Sequence, residues 1–304
     1  MARIVSSAPP ALPAPSAVLE LLKPVTWFPP MWAFGCGVVS SGVPLSGHWS
    51  VAIVGILLAG PLICATSQAV NDWFDREVDA INEPHRPIPS GRMPGRSGLY
   101  VAIVWTLLSL AVAATLGTFV LLAAVAGLVL AWAYSAPPVR LKQNGWWGNA
   151  ACGFCYEGLA WFTGAAAMAG GAMPDGRIVA IAVLYSLGAH GIMTLNDFKS
   201  LEGDRRMGIG SLPVRLGPRR AGIVACAVMA LPQFGVAALL VHWDAPWHAA
   251  AVVGVLALQL LCMVRLLRDP RGLAPWYNAT GVSLYVLGML ASAFALGKLL
   301  AVPA

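Results

Sequence analysis

The sequence predicts an all-α membrane protein: nine transmembrane helices in a bundle, N-terminus cytoplasmic, with two pseudo-repeated Asp-rich helix ends on the cytoplasmic side. Three observations carry that prediction. Hydrophobic residues make up 58% of the 304 and charged residues 11%, a composition far outside that of soluble domains. Basic residues fall almost entirely on one side of the expected spans. Finally, two nine-residue segments, Asn71–Asp79 and Asn196–Asp204, lie 125 positions apart and share Asn, Asp, Glu and Asp at matching places.

Apolar runs long enough to cross a core of about 30 Å occur at 19–41, 51–71, 98–117, 119–136, 149–170, 177–197, 221–241, 247–266 and 276–299. The first contains Pro24, Pro29 and Pro30, tolerable in a membrane helix whose neighbours re-satisfy the backbone. Residues 1–17, rich in Ala, Pro and Ser and without the apolar core of a cleaved signal, are expected to form a disordered cytoplasmic tail. Residues 18–304 are then a single transmembrane domain.

With the N-terminus inside, 17 of the 19 Lys and Arg residues face the cytoplasm, and only Arg177 and Lys298 lie outside. This is the positive-inside pattern. It places both acidic segments on the cytoplasmic face. The net charge of +6 fits anionic lipid or an anionic substrate; with no basic recognition helix or stacking array, nucleic acid is excluded as a partner. The six cysteines read as small packing residues, with no disulfide and no structural metal expected. His190, six residues before Asn196, reads as a packed, hydrogen-bonded residue, and Trp27, Trp32, Trp146 and Trp147 as interfacial anchors.

The acids carry the chemistry. Seven of the chain's 13 acidic residues lie in the two segments. Positions i, i+3 and i+7 share a helical face, so Asp72, Asp75 and Asp79 point together if the helix continues through them. Three like charges need a cation, and Mg²⁺ held by one or two carboxylates plus substrate phosphate oxygens meets that need. The equivalents in the second segment are Asp197, Ser200 and Asp204, so the first copy is expected to bind metal more strongly. Two such clusters facing across a bundle would bridge a diphosphate, with metal and basic side chains stabilising the leaving charge. The remaining allylic cation needs a dry pocket, which a membrane bundle supplies. Lys23, Arg86, Arg140 and Lys142 are candidate helpers, the last two following Tyr134 in Tyr134-Ser-Ala-Pro-Pro-Val-Arg140-Leu-Lys142.

These residues resemble the UbiA-type intramembrane prenyltransferases. The Asn-Asp-x-x-Asp-x-x-x-Asp segment at 71–79, the stretch Arg86-Pro-Ile-Pro-Ser-Gly91, the second Asp-rich segment at 196–204 and the Tyr134–Lys142 loop carry the likeness, which spans the chain beyond residue 18. Within the family, Lys23–Phe34, Tyr156–Gly164 and Asn196–Val214 are similar to the branch of bacteriochlorophyll and chlorophyll synthases. The resemblance implies Mg-dependent transfer of a geranylgeranyl or phytyl group from its diphosphate to the propionate of (bacterio)chlorophyllide, the terminal step of pigment synthesis. It implies Mg²⁺ as cofactor, with Mn²⁺ able to substitute. Asp72, Asp75, Asp79, Asp197 and Asp204 would be metal-holding and catalytic. Asn71, Asn196, Arg86, Tyr134, Arg140, Lys142, Lys199 and Lys23 would bind substrate.

The implied partners are the polyprenyl diphosphate, the tetrapyrrole, the lipid bilayer and other pigment-pathway proteins. The implied location is an inner membrane, cytoplasmic or intracytoplasmic photosynthetic, with the active site facing the cytoplasm. A carboxylate acceptor, already ionised near pH 7, attacks without a general base, and none stands out near the motifs except Glu157. The run Trp27, Phe28, Trp32 and Phe34 would suit a flat macrocycle or simple packing. Alternatives are a polyprenyltransferase acting on a quinone precursor such as hydroxybenzoate or homogentisate and, more distantly, a transporter or non-catalytic pigment scaffold.

Overall fold

A computed structural model describes residues 12–301, and these are helical throughout, the sole strand-like feature among them being an isolated bridge between Asn144 and Gly210. The chain opens with α1 (Pro15–Leu22) and α2 (Phe28–Ser40), then α3 (Trp49–Asn82), α4 (Ser97–Thr115) and α5 (Thr118–Ser135). There follow α6 (145–168), α7 (Gly176–Arg206), α8 (Pro218–His242), α9 (Pro246–Leu266) and α10 (Pro270–Leu300). Helix α1 starts at Pro15, inside the stretch expected to be a disordered tail; residues 1–11 of that stretch lie outside the described residues.

Seven of these helices, α3, α4, α5 and α7 to α10, are long and apolar enough to cross a membrane, so the protein is integral to one. The other two expected spans are α2, of 13 residues, and α6. The run expected at 19–41 divides because Pro24 and Pro29 have no N–H to donate and disfavour helix in the residue before them. Lys23 accordingly takes a left-handed backbone, φ 47°.

The acidic segments sit on helices that outrun the apolar stretches. Helix α3 continues past residue 71 to Asn82, and α7 past 197 to Arg206. The first continues as regular α-helix, whereas the second tightens to a 3₁₀ turn over Asp197–Ser200 before Leu201–Arg206. Both α3 and α6 widen mid-course into a π-type turn, at Leu58–Cys64 around Pro61 and at Phe154–Leu159.

The core is held by close approach and interior hydrogen bonds. Gly37 on α2 and Gly164 on α6 face one another's backbones, where an added Cβ would collide with main-chain atoms. Trp161 stacks on Tyr185 at 5.7 Å, and Tyr185 meets Tyr285 edge-on at 5.2 Å. The Tyr285 hydroxyl donates to the Tyr185 carbonyl at 2.6 Å, Trp161 Nε1 to Ser40 Oγ at 3.0 Å, and Gln233 Nε2 to Gln259 Oε1 at 2.6 Å. Between membrane helices each such bond contributes on the order of 0.6 kcal/mol, so together they select a register more than they supply stability.

Candidate active site

The uninterrupted helix through 71–82 does place Asp72, Asp75 and Asp79 on one face. Each meets cations from outside its own helix. Lys23 Nζ donates to Asp72 Oδ1 at 2.5 Å, and the left-handed turn at Lys23 between α1 and α2 aims it there. Arg86, just past the end of α3, donates to Asp79 Oδ2 at 2.8 Å and lies 3.5 Å from Asp72 Oδ1. Asp75 pairs with Lys142 Nζ at 2.5 Å and Arg140 Nη2 at 3.3 Å, and also accepts from Asn71 Nδ2 at 3.1 Å. Arg140 reaches it through a left-handed turn of its own, φ 40°.

Burial makes these pairs consequential. Asp72 is 2% exposed and its Oδ2 has no hydrogen-bond partner among the described residues. Burial pulls the Lys142 ammonium below its usual range, against the upward pull of Asp75. Burial also opposes the charge of Arg86, but Asp72 and Asp79 outweigh it and raise its pKa. Removing one partner of such a pair strands the other, at a cost of about 3–5 kcal/mol.

The second segment has a different environment. Asp197 accepts from Asn149 Nδ2 at 3.0 Å, and Asp204 from Ser200 Oγ at 2.9 Å; neither has an ion pair among the described residues. Asn196 Oδ1 accepts from Asn278 Nδ2 at 2.8 Å. Lys199 turns to the same cavity as Asn71, Tyr134 and Asn196. That cavity, of about 650 Å³, runs from this polar mouth between α2, α3, α5, α6, α7 and α10 into a largely apolar interior. Backbone bonds from Gly145 N to Gly210 O and from Gly210 N to Gln143 O, 2.9 and 3.0 Å, strap the Tyr134–Lys142 loop to the chain following the second segment.

Asn149, Asn278 and Gln68, whose Nε2 donates to Tyr156 Oη at 3.1 Å, were not foreseen from sequence. The available signal was a lone amide in an apolar run, costly there unless it has a partner. Of the aromatic run, Phe28 lines the cavity but Phe34 is fully buried against Gly55, so the run offers no continuous platform for a macrocycle.

The donors fit magnesium in kind. They are hard carboxylate oxygens, and Asp72 Oδ2 is buried and free to coordinate. No three acidic, His or Cys side chains converge into a ready metal cage among the described residues, so the set suits an ion completed by phosphate oxygens rather than one enclosed by protein.

The chain is similar to known proteins over most of its length. A match to the UbiA prenyltransferase family covers residues 26–287. The bacteriochlorophyll synthase 33 kDa chain of Cereibacter sphaeroides is 56% identical over 295 residues, 97% of each chain. The chloroplastic chlorophyll synthase of Oryza sativa subsp. japonica is 39% identical over 292 residues, 91% of this chain and 76% of that one. Among solved structures, a UbiA homologue from Archaeoglobus fulgidus bound to DMAPP and Mg²⁺ superposes with a TM-score of 0.70 at 21% identity, over 90% of this chain and 99% of that one.

Proposed function

The chain belongs to the UbiA prenyltransferase family, and on that footing we propose that it joins a geranylgeranyl or phytyl group from its diphosphate to the propionate carboxylate of (bacterio)chlorophyllide. The observation that carries the reading is one largely apolar cavity lined by Asn71, Asn196, Lys199 and Tyr134, with the carboxylates that follow Asn71 paired to Lys23, Arg86, Arg140 and Lys142. The identity of 56% over nearly the whole chain to a bacteriochlorophyll synthase supplies the acceptor class.

Asp72, Asp75, Asp79, Asp197 and Asp204 would hold Mg²⁺ against the diphosphate, with Asn71 and Asn196 orienting them. Bound there, the ion neutralises charge on the departing diphosphate. Lys199, on the cavity lining, and Lys23, Arg86, Arg140 and Lys142, paired with the acids of the first segment, would bind diphosphate oxygens and stabilise the charge that grows as the C–O bond breaks. Tyr134 lines the cavity. The apolar interior takes the isoprenoid chain and shields the allylic cation from water. The acceptor propionate, ionised near neutral pH, attacks the allylic carbon directly; one C–O bond forms as another breaks, and no proton needs removal.

In this reading α2 and α6 complete nine spans in one domain, N-terminus in, because that arrangement puts 17 of 19 basic residues on one side. The mouth then opens to the cytoplasm from an inner or intracytoplasmic photosynthetic membrane. The test is a product assay: purified protein, Mg²⁺, geranylgeranyl diphosphate and bacteriochlorophyllide, beside a reaction given 4-hydroxybenzoate. The expected result is esterified pigment alone. Prenylated benzoate without pigment ester would overturn the acceptor assignment.

A further inference from the structure

The main cavity contains a carboxyl group that the transfer chemistry leaves unused. Glu157 is 5% exposed, lines the cavity, and makes no hydrogen bond among the described residues; its Oε2 is buried and without a partner. A carboxyl group in such surroundings is costly unless it meets a partner. Its neighbours are already satisfied. Tyr156 is engaged with Gln68 at 3.1 Å and with Cys64 at 3.5 Å, and the Thr163 hydroxyl donates to its own helix at Leu159 O.

The backbone places Glu157 there. It sits within the widened turn Phe154–Leu159, where a π-type bulge adds a residue to the turn and re-aims the side chains around it. The second such turn, Leu58–Cys64, lines the same cavity from α3. The same cavity wall includes the apolar Leu58, Leu159, Ile192 and Val286, and the polar Tyr156 and Thr163 near Glu157 in sequence already have partners. An isoprenoid tail has no atom that could satisfy a carboxyl, and the diphosphate belongs at the mouth. The ligand reaching this depth must therefore bring a polar atom of its own.

The chemistry of the two substrates narrows the choice. The donor offers only a hydrocarbon chain beyond its diphosphate, whereas the tetrapyrrole carries polar atoms away from its propionate. We propose that the protonated carboxyl of Glu157 donates a hydrogen bond to an oxygen substituent on the far edge of the acceptor macrocycle and so turns the propionate toward the diphosphate at the mouth. This rests on the tetrapyrrole reading above and assigns the acceptor's orientation to a residue outside the Asp-rich segments. Glu157 is an acceptor-orienting residue with no part in proton transfer.

The experiment compares wild type with Glu157→Gln and Glu157→Leu in the full-length protein, measuring KM for acceptor and donor separately. Each variant is matched to wild type by thermal unfolding. Glu157→Leu is expected to raise the acceptor KM about tenfold, the loss of one buried hydrogen bond, with the donor KM within about twofold. Glu157→Gln, which keeps hydrogen-bonding capacity, should retain most of the affinity. A second measurement uses wild type alone, with acceptors whose far-edge carbonyl is present or reduced to a methylene; the reduced acceptor should bind about tenfold more weakly. Equal KM for both acceptors, an unchanged acceptor KM in Glu157→Leu, or a parallel rise in donor KM would overturn the inference. If wild type esterifies no tetrapyrrole, it is the functional reading that fails.

Discussion

Segments 71–79 and 196–204 share Asn, Asp, Glu and Asp at matching places and are unlike in their surroundings. The first holds its carboxylates within 3.5 Å of Lys23, Arg86, Arg140 and Lys142, on an unbroken α-helix. The second holds Asp197 and Asp204 with an amide and a hydroxyl, on a helix that tightens to 3₁₀. A repeated motif thus gives two environments, because the partners come from outside the repeat. On the proposed reading the labour divides: the first segment would organise the cations that meet the diphosphate, and the second would offer carboxylates without an ion pair among the described residues.

The largest effect should come from the buried acid at the centre of the first network. Asp72→Asn is expected to lower the rate of prenyl transfer by about 10³-fold, read as product formed per minute at saturating substrates. Retention of more than a tenth of the rate would break the comparison. Next comes Lys142→Ala, which leaves Asp75 with Arg140 alone as its cation and, on the proposed reading, removes a diphosphate contact. Its transfer rate should fall about 10²-fold, with Tm also lowered because a buried charge loses one of its partners. A fall in Tm with the rate unchanged would make Lys142 a purely structural residue.

How much of this could be read from the chain follows from what each residue needs. Helix positions and the paired acids are local patterns, so apolar runs and a 125-residue repeat revealed them. Lys23, Arg86, Arg140 and Lys142 were legible as candidates because they flank helix ends, although which acid each meets depends on left-handed turns at Lys23 and Arg140 that composition does not show. Asn149 and Asn278 were missed because a single amide carries no periodicity. The break at 23–28 was visible as prolines, yet its outcome, two helices where one span was expected, depends on what packs around it. The π-type turns, and with them the aim of Glu157, are register shifts within runs that look uniformly apolar.

Smaller predictions sharpen the second half of the comparison. Asn149→Ala removes the group that orients Asp197 and should raise the Mg²⁺ concentration for half-maximal activity about tenfold, with the rate recovered at high Mg²⁺. An unchanged Mg²⁺ requirement would detach Asp197 from metal binding. Ser200→Asp restores the acid found at the matching place in the first copy, next to Lys199 in sequence. It should lower the half-maximal Mg²⁺ concentration by a few-fold and lower Tm slightly without metal, as like charges crowd. No change in either would mean that position 200 faces away from the ion.

The central claim is that two segments 125 residues apart grasp one diphosphate through metal. The most direct measurement is a double-mutant cycle on geranylgeranyl diphosphate binding, with and without Mg²⁺, using Asp72→Asn, Asp197→Asn and the pair. The account predicts that either single substitution removes most of the Mg²⁺-dependent gain in affinity and that the double variant loses little more. Losses that add independently would place the two segments in separate sites and contradict it.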